Sequence, residues 1–297
     1  FAGNEFEGQR KAIREVIENK EHPYHDFVLH LFKDVDQDVL TTLVTNFFIN
    51  AALIGWPIQE KLRNELGCNI PWAILLDPTS ACNLHCTGCW AAEYGNRLNL
   101  TVDEIDDIIR QGKELGVYMY IYTGGEPLVR RKDLMQICEK HNDCVFLSFT
   151  NGTLIDDAFA EEMLRVRNFI PAISLEGFEE ATDSRRGTGV YQKAVNAMEI
   201  LHKYRLPYGI SACYTSVNYD SITSEEFYDK LIETGAYFIW YFRYMPIGSD
   251  AVPALLPTPE QRELVCRRIR YLRANKPLFA MDFQNDGEYV GGCIAGG

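Results

Sequence analysis

The chain has 297 residues, 46% of them hydrophobic and 24% charged, enough to bury a sizeable core as one large domain or as one domain with appendages. Its formal net charge of −13 argues against binding through a basic surface, so no nucleic-acid partner is expected. The nine cysteines are odd in number and mostly lie singly in apolar runs, which suits free thiols in a reducing, cytoplasmic setting.

Residues 1–70 read as an N-terminal helical region. EGQRKAIREVIENK, at 7–20, has the spacing of a polar amphipathic helix. Residues 35–66 predict an apolar helix with a break at Gly55-Trp56-Pro57. Its stretch 39–57 carries no charge and is about as long as the shortest membrane span, ~17 residues. Thr41, Thr42, Thr45, Asn46 and Asn50 interrupt that stretch, which favours a buried or groove-forming helix. A role at a membrane surface or against a lipid stays open. No signal-peptide pattern is visible.

From Trp72 onward the pattern alternates. WAILLDPTS (72–80) is a short apolar run ending in a turn. TVDEIDDIIRQGKELG (101–116) predicts a helix capped by Thr101, with acids in its first turn and glycine at its end. Strands are then expected at 117–127, 144–152, 169–177, 208–216 and 238–248. Helices are expected between them at 131–143, 157–168, 190–205 and 224–235, and a last one at 258–276. Six apolar strands separated by helices imply parallel pairing, as an open sheet or a partial barrel. In either form, ligand sites gather at the carboxyl ends of strands. The cysteine loop, TGGEP, TNG, SLEG, YTSVN and MPIG all follow strand ends, so they converge on one mouth.

One loop carries chemistry. DPTSACNLHCTGCW (77–90) places Cys82, Cys86 and Cys89 at spacing C-x3-C-x2-C. Thiolates bind soft metals and iron–sulfur clusters. Three of them leave one corner of a four-iron cluster without a protein ligand. A structural zinc site needs a fourth ligand, for which His85 is the nearest candidate. Coincidence in an apolar core is the plainest alternative. The loop position and its polar neighbours favour the open-corner cluster.

Together with GGEP after the second strand, this loop resembles the radical S-adenosylmethionine (SAM) enzymes, over roughly residues 72–250. The resemblance implies a partial (β/α)6 TIM-like barrel with an N-terminal helical appendage. It divides the chain into an N-terminal helical region (1–70), a radical SAM core (71–250) and a C-terminal segment (251–297). It implies a [4Fe–4S] cluster on Cys82, Cys86 and Cys89, with SAM chelated at the open iron. An electron from the cluster cleaves SAM to methionine and a 5′-deoxyadenosyl radical, which takes a hydrogen atom from the substrate. A low-potential donor such as flavodoxin or ferredoxin is the implied partner.

Carried over residue by residue, Gly124, Gly125 and Glu126 match the segment that meets the SAM amino group. Ser148 and Asn151 resemble ribose-binding positions, and Ser174 of SLEG joins them. Arg186, with Arg185 beside it, resembles the arginine that meets the SAM carboxylate. Met245-Pro246-Ile247 resembles an adenine-facing strand end. Two departures stand out. Gly88 occupies a position before the third cysteine that is often aromatic, so adenine is held differently, with Trp90 or Tyr94 as candidates. Glu176 stands where many relatives have aspartate. Cys213, Tyr214 and Tyr244 are candidates to face the cavity as hydrogen donors or radical relays, though core packing is the ordinary role for such residues.

CIAGG (293–297) resembles the opening of a SPASM or twitch-type extension, with Cys293 as a ligand of an auxiliary iron–sulfur cluster. Such an extension suggests a peptide or protein substrate. The uncharged helix suggests instead a lipid or other apolar small molecule. A non-catalytic iron–sulfur regulator or electron carrier is the reading from a different class.

Overall fold

The computed structural model describes residues 7–248 and 250–287; the tail with Cys293 lies outside the described residues. Helices α1 (Glu7–Glu18) and α2 (Pro23–Asp34) lead into a long third helix, α3 (Gln37–Leu66). Asp36 caps α3, its carboxylate accepting from the N–H groups of Asp38 and Val39. The expected break at Gly55-Trp56-Pro57 is absent. Residues Thr45–Gly55 are wound as a π-helix, and the Trp56 N–H bonds to the Ala51 carbonyl. Proline in an α-helix loses a bond and clashes with the carbonyl four residues earlier. A turn already registered one residue wider moves that carbonyl aside, so the helix runs on.

Polar side chains anchor α3. Asn46, 3% exposed, donates to the carbonyls of Asn142 and Cys144. Asn50 donates to Asp143 O, and Gln59 to Gly116 O. Gly55 and Gly116 let the backbones touch, since a Cβ on Gly55 would lie 2.3 Å from Gly116 O. All these partners precede strands, so α3 lies under the amino ends of the sheet. Its length and composition would let it cross a membrane, and Phe48, Ile54 and Trp56 are exposed along it.

Seven strands follow: β1 (Ala73–Leu76), β2 (Met119–Tyr122), β3 (Val145–Thr150), β4 (Phe169–Leu175), β5 (Gly209–Tyr214), β6 (Phe238–Arg243) and β7 (Phe279–Asp282). They pair in chain order, all parallel, and curl into a half-barrel. The six expected strands are present, and β7 is added to them. Between them run α4 (Val102–Glu114), α5 (Arg131–Lys140), α6 (Asp157–Val166), α7 (Glu179–Arg186), α8 (Val190–Lys203), α9 (Glu225–Glu233) and α10 (Pro259–Asn275). Thr101 caps α4 reciprocally with Glu104, as the sequence suggests. Helix α7 occupies residues to which the sequence assigns no helix or strand.

Strand alternation builds two apolar layers. Tyr120, Tyr122, Phe146, Ile210 and Tyr241 point to the helices and join the main core. Met119, Ile121, Leu147, Ala172 and Trp240 point the other way, with Phe149, Phe242 and Phe283 packed against them. This second layer is the inner wall of the half-barrel.

Replacing Asn46 with alanine removes the side-chain donor of Asn142 O and one of the two donors of Cys144 O, which keeps the Asn168 amide. We expect a loss of about 1–3 kcal/mol in urea unfolding. Iron binding at the cysteine loop, at the other end of the strands, should be unchanged.

Candidate functional site

The cysteine loop joins β1 to α4 and is docked by backbone bonds. Gly125 N–H donates to Thr79 O at 2.9 Å, and Glu126 N–H to Ala81 O at 2.8 Å. A Cβ on Gly125 would lie 2.2 Å from Ala81 O, so the turn after β2 can meet the loop only without side chains. The smallness of Gly124 and Gly125 is thus used first by the chain itself.

Glu126, 1% exposed, is the buried centre of the next contact. Its carboxylate accepts from Leu128 N–H (2.9 Å), the Thr150 hydroxyl (2.7 Å) and Asn151 N–H (2.7 Å). Burial pushes its carboxyl above the usual range, while the Asn151, Thr150 and Leu128 donors pull it back. Asn151 then donates its side-chain amide to Asn83 in the cysteine loop, at 2.8 Å. Glu126 therefore ties β2, the end of β3 and the loop together.

Cys82, Cys86 and Cys89 are free thiols, each part-exposed. Burial raises the Cys82 thiol; the Leu84 N–H, 3.5 Å from its Sγ, lowers it, and Glu126 raises it again. Burial also raises the Cys86 thiol, against Arg186 and Arg185, which lower it. His85 is exposed and lies 3.7 Å from Asp250, an outward partner rather than a fourth ligand.

Opposite the loop sits an ion cluster that the sequence did not resolve. Glu176, fully buried at the end of β4, accepts on one oxygen from Arg185 Nη1 (2.5 Å), Arg186 Nε (2.8 Å) and Arg186 Nη2 (2.6 Å). Arg185 also donates from Nε to Thr87 O, and Thr87 N–H donates to Arg185 O at 2.8 Å. Two cations against one carboxylate leave a surplus positive charge facing Cys86. Cys213, on the inner side of β5, adjoins the same arginines; burial pushes its thiol up to about 11 although Arg185 lowers it.

Alternation sorts the remaining candidates. Ser174 shares the inner side of β4 with Ala172. Ser148 shares the helix side of β3 with Phe146 and is 0% exposed. It does not line the mouth, a correction to its expected ribose contact. Tyr214 is likewise buried on the helix side. Trp90 and Tyr94 are both exposed and pack edge-on against each other, 6.0 Å apart. Met245 and Ile247 are exposed after β6.

The family model of the radical SAM superfamily matches residues 76–234. The chain belongs to the radical SAM superfamily. It is 29% identical to the AdoMet-dependent heme synthase of Methanosarcina barkeri, over 66% of this chain and 57% of that protein. It is also 29% identical to the mycofactocin maturase MftC of Mycolicibacterium smegmatis, over 67% of this chain and 51% of that protein. The chain thus spans little more than half the length of these curated relatives. Among solved structures, SuiB of Streptococcus suis bound to S-adenosylmethionine superposes with a TM-score of 0.63 at 20% identity, covering 78% of this chain and 56% of that one. That likeness concerns the fold.

Members of this superfamily are enzymes that use a [4Fe–4S] cluster and SAM. The donor set here fits such a cluster. Among the described residues, no three His, Cys, Asp or Glu side chains lie close enough to share one metal ion. A four-iron cluster instead takes each thiolate on a separate iron, and three part-exposed thiols on one loop supply that set.

Glu176→Gln leaves two mostly buried guanidiniums without their carboxylate. The expected cost is about 3–5 kcal/mol, measured by urea unfolding.

Proposed function

We propose that this chain is the core of an enzyme that reductively cleaves SAM at a [4Fe–4S] cluster on Cys82, Cys86 and Cys89 to modify a peptide or protein. The observation that carries this reading is a loop of three thiols seated on the Gly124-Gly125-Glu126 turn at the strand ends, with His85 turned outward to Asp250. When bound, the cluster and SAM supply a 5′-deoxyadenosyl radical that takes a hydrogen atom from the substrate.

The chain's own residues bind, orient and exclude water. Arg186 carries part of the positive surplus beside Glu176 and is assigned to the SAM carboxylate. Gly124 and Gly125 form the seat of the SAM amino group. Glu126 acts by holding that seat and Asn151, because both its oxygens already accept bonds from the protein. Asn151 and Ser174 are assigned to the ribose. The inner wall of Met119, Ile121, Leu147, Phe149, Trp240 and Phe242 carries no charge, which keeps water from a radical site.

The chain divides in this reading into a helical region at 1–70, the SAM-cleaving core at 71–250 and, at 251–297, a C-terminal helix followed by the start of a SPASM or twitch-type extension. Cys293 is assigned to an auxiliary cluster of that extension. A peptide substrate is supported by a relative named as a mycofactocin maturase, and by fold neighbours solved with peptides, SuiB with precursor peptide SuiA and anSMEcpe with Cp18Cys peptide. The apolar inner wall and the relative named as a heme synthase favour a second reading, the same chemistry on an apolar small molecule. Helix α3 gives that reading no support, because it lies under the opposite ends of the strands. A low-potential donor such as flavodoxin or ferredoxin in the cytoplasm completes the scheme.

Anaerobic reconstitution followed by reduction with SAM present should release 5′-deoxyadenosine, detected by chromatography. An intact cluster with no release would exclude this reaction. Cys86→Ala should lose both iron and release. Arg186→Ala should keep its iron but bind SAM at least ~10-fold more weakly, read by titration of the cluster's spectrum.

A further inference from the structure

Gly88, between Cys86 and Cys89, has φ +67, in the left-handed region. Its side-chain space is already taken. A Cβ there would lie 2.5 Å from the Tyr244 hydroxyl oxygen and 2.9 Å from ring carbon Cε2. Tyr244 follows β6 and is 2% exposed. One backbone contact and two side-chain contacts hold it. Its N–H donates to Tyr214 O at 2.9 Å, its hydroxyl accepts from Val252 N–H at 2.8 Å, and the Arg185 guanidinium lies 5.8 Å from its ring centre. Arg185 in turn holds Thr87, the residue before Gly88.

We propose that Tyr244 is a positioning residue for the cysteine loop: its ring fills the space beside Gly88 and so sets the backbone path from Cys86 to Cys89. This rests on the reading that those cysteines hold the cluster. The ring is held at its face by Arg185 and at its hydroxyl by the Val252 amide, and the loop has no side chain at 88 with which to shift it. The contact therefore transmits the position of the β6 end to two thiols at once. The partnership is specific to shape. Glycine at 88 and a large ring at 244 are each needed because the other is there.

The test is a double-mutant cycle on the anaerobically reconstituted protein, with Gly88→Ala, Tyr244→Leu and both together. The readouts are iron per chain and the electron paramagnetic resonance spectrum of the reduced cluster with and without added SAM. Each single change should alter the spectrum and weaken the SAM response at least ~10-fold. The double variant should be less impaired than the sum of the two, because leucine vacates the space that alanine needs. Tyr244→Phe keeps the ring but loses the Val252 bond, so its spectrum should be disturbed less than that of Gly88→Ala; it serves if Tyr244→Leu does not fold. A Tyr244→Leu spectrum identical to wild type overturns the proposal, as do strictly additive single effects or a Tyr244→Phe spectrum as disturbed as that of Gly88→Ala. Wild-type protein that takes up no iron overturns the cluster reading itself, a result separate from any difference among the variants.

Discussion

The site depends on one close approach between backbones. The turn after β2 donates two N–H groups to carbonyls of the segment that enters the cysteine loop, and Gly125 has no room for a side chain as it does so. Once docked, the loop is gripped from further elements. Glu126 and Asn151 reach it from β2 and β3, and Arg185 reaches it from α7. Each grip uses a buried polar group that would be costly to leave unmatched, so the loop and the barrel rim stabilise one another.

The electrostatics follow from the same packing. Glu176 is fully buried, and a lone carboxylate there would be strongly penalised. Two arginines from the last turn of α7 neutralise it and leave positive charge over. That surplus lies against Cys86, where it opposes the effect of burial on the thiol. A region with little water thus still favours anions, an environment suited to thiolates and to a carboxylate ligand.

Much of this was legible in the sequence, and the remainder was hidden for definite reasons. The alternation of apolar runs and helices marked all six strands expected from it, and Thr101 announced its helix through a cap that depends only on local residues. The cysteine spacing and GGE could be read because they are contiguous. Strand β7 was missed because FAMD, at 279–282, has only four residues, too few for an alternation to show. Helix α7 was missed because EEATDSRR carries almost no apolar face. The break expected at Pro57 failed because helical register five residues apart is not written in hydropathy. Ser148 was misassigned by one position of strand alternation, which only the pairing register reveals. The meeting of Gly88 with Tyr244 joins residues remote in sequence, and neither shows its partner in its neighbours.

The sheet is an arc whose end strands, β1 and β7, each have a neighbour on one side alone among the described residues. In a closed barrel, strand number and shear fix the bore. An arc obeys no such arithmetic. Its width follows instead from the twist and coiling of the strands and from the side chains packed on the inner face, so the chamber opens between two unpaired edges.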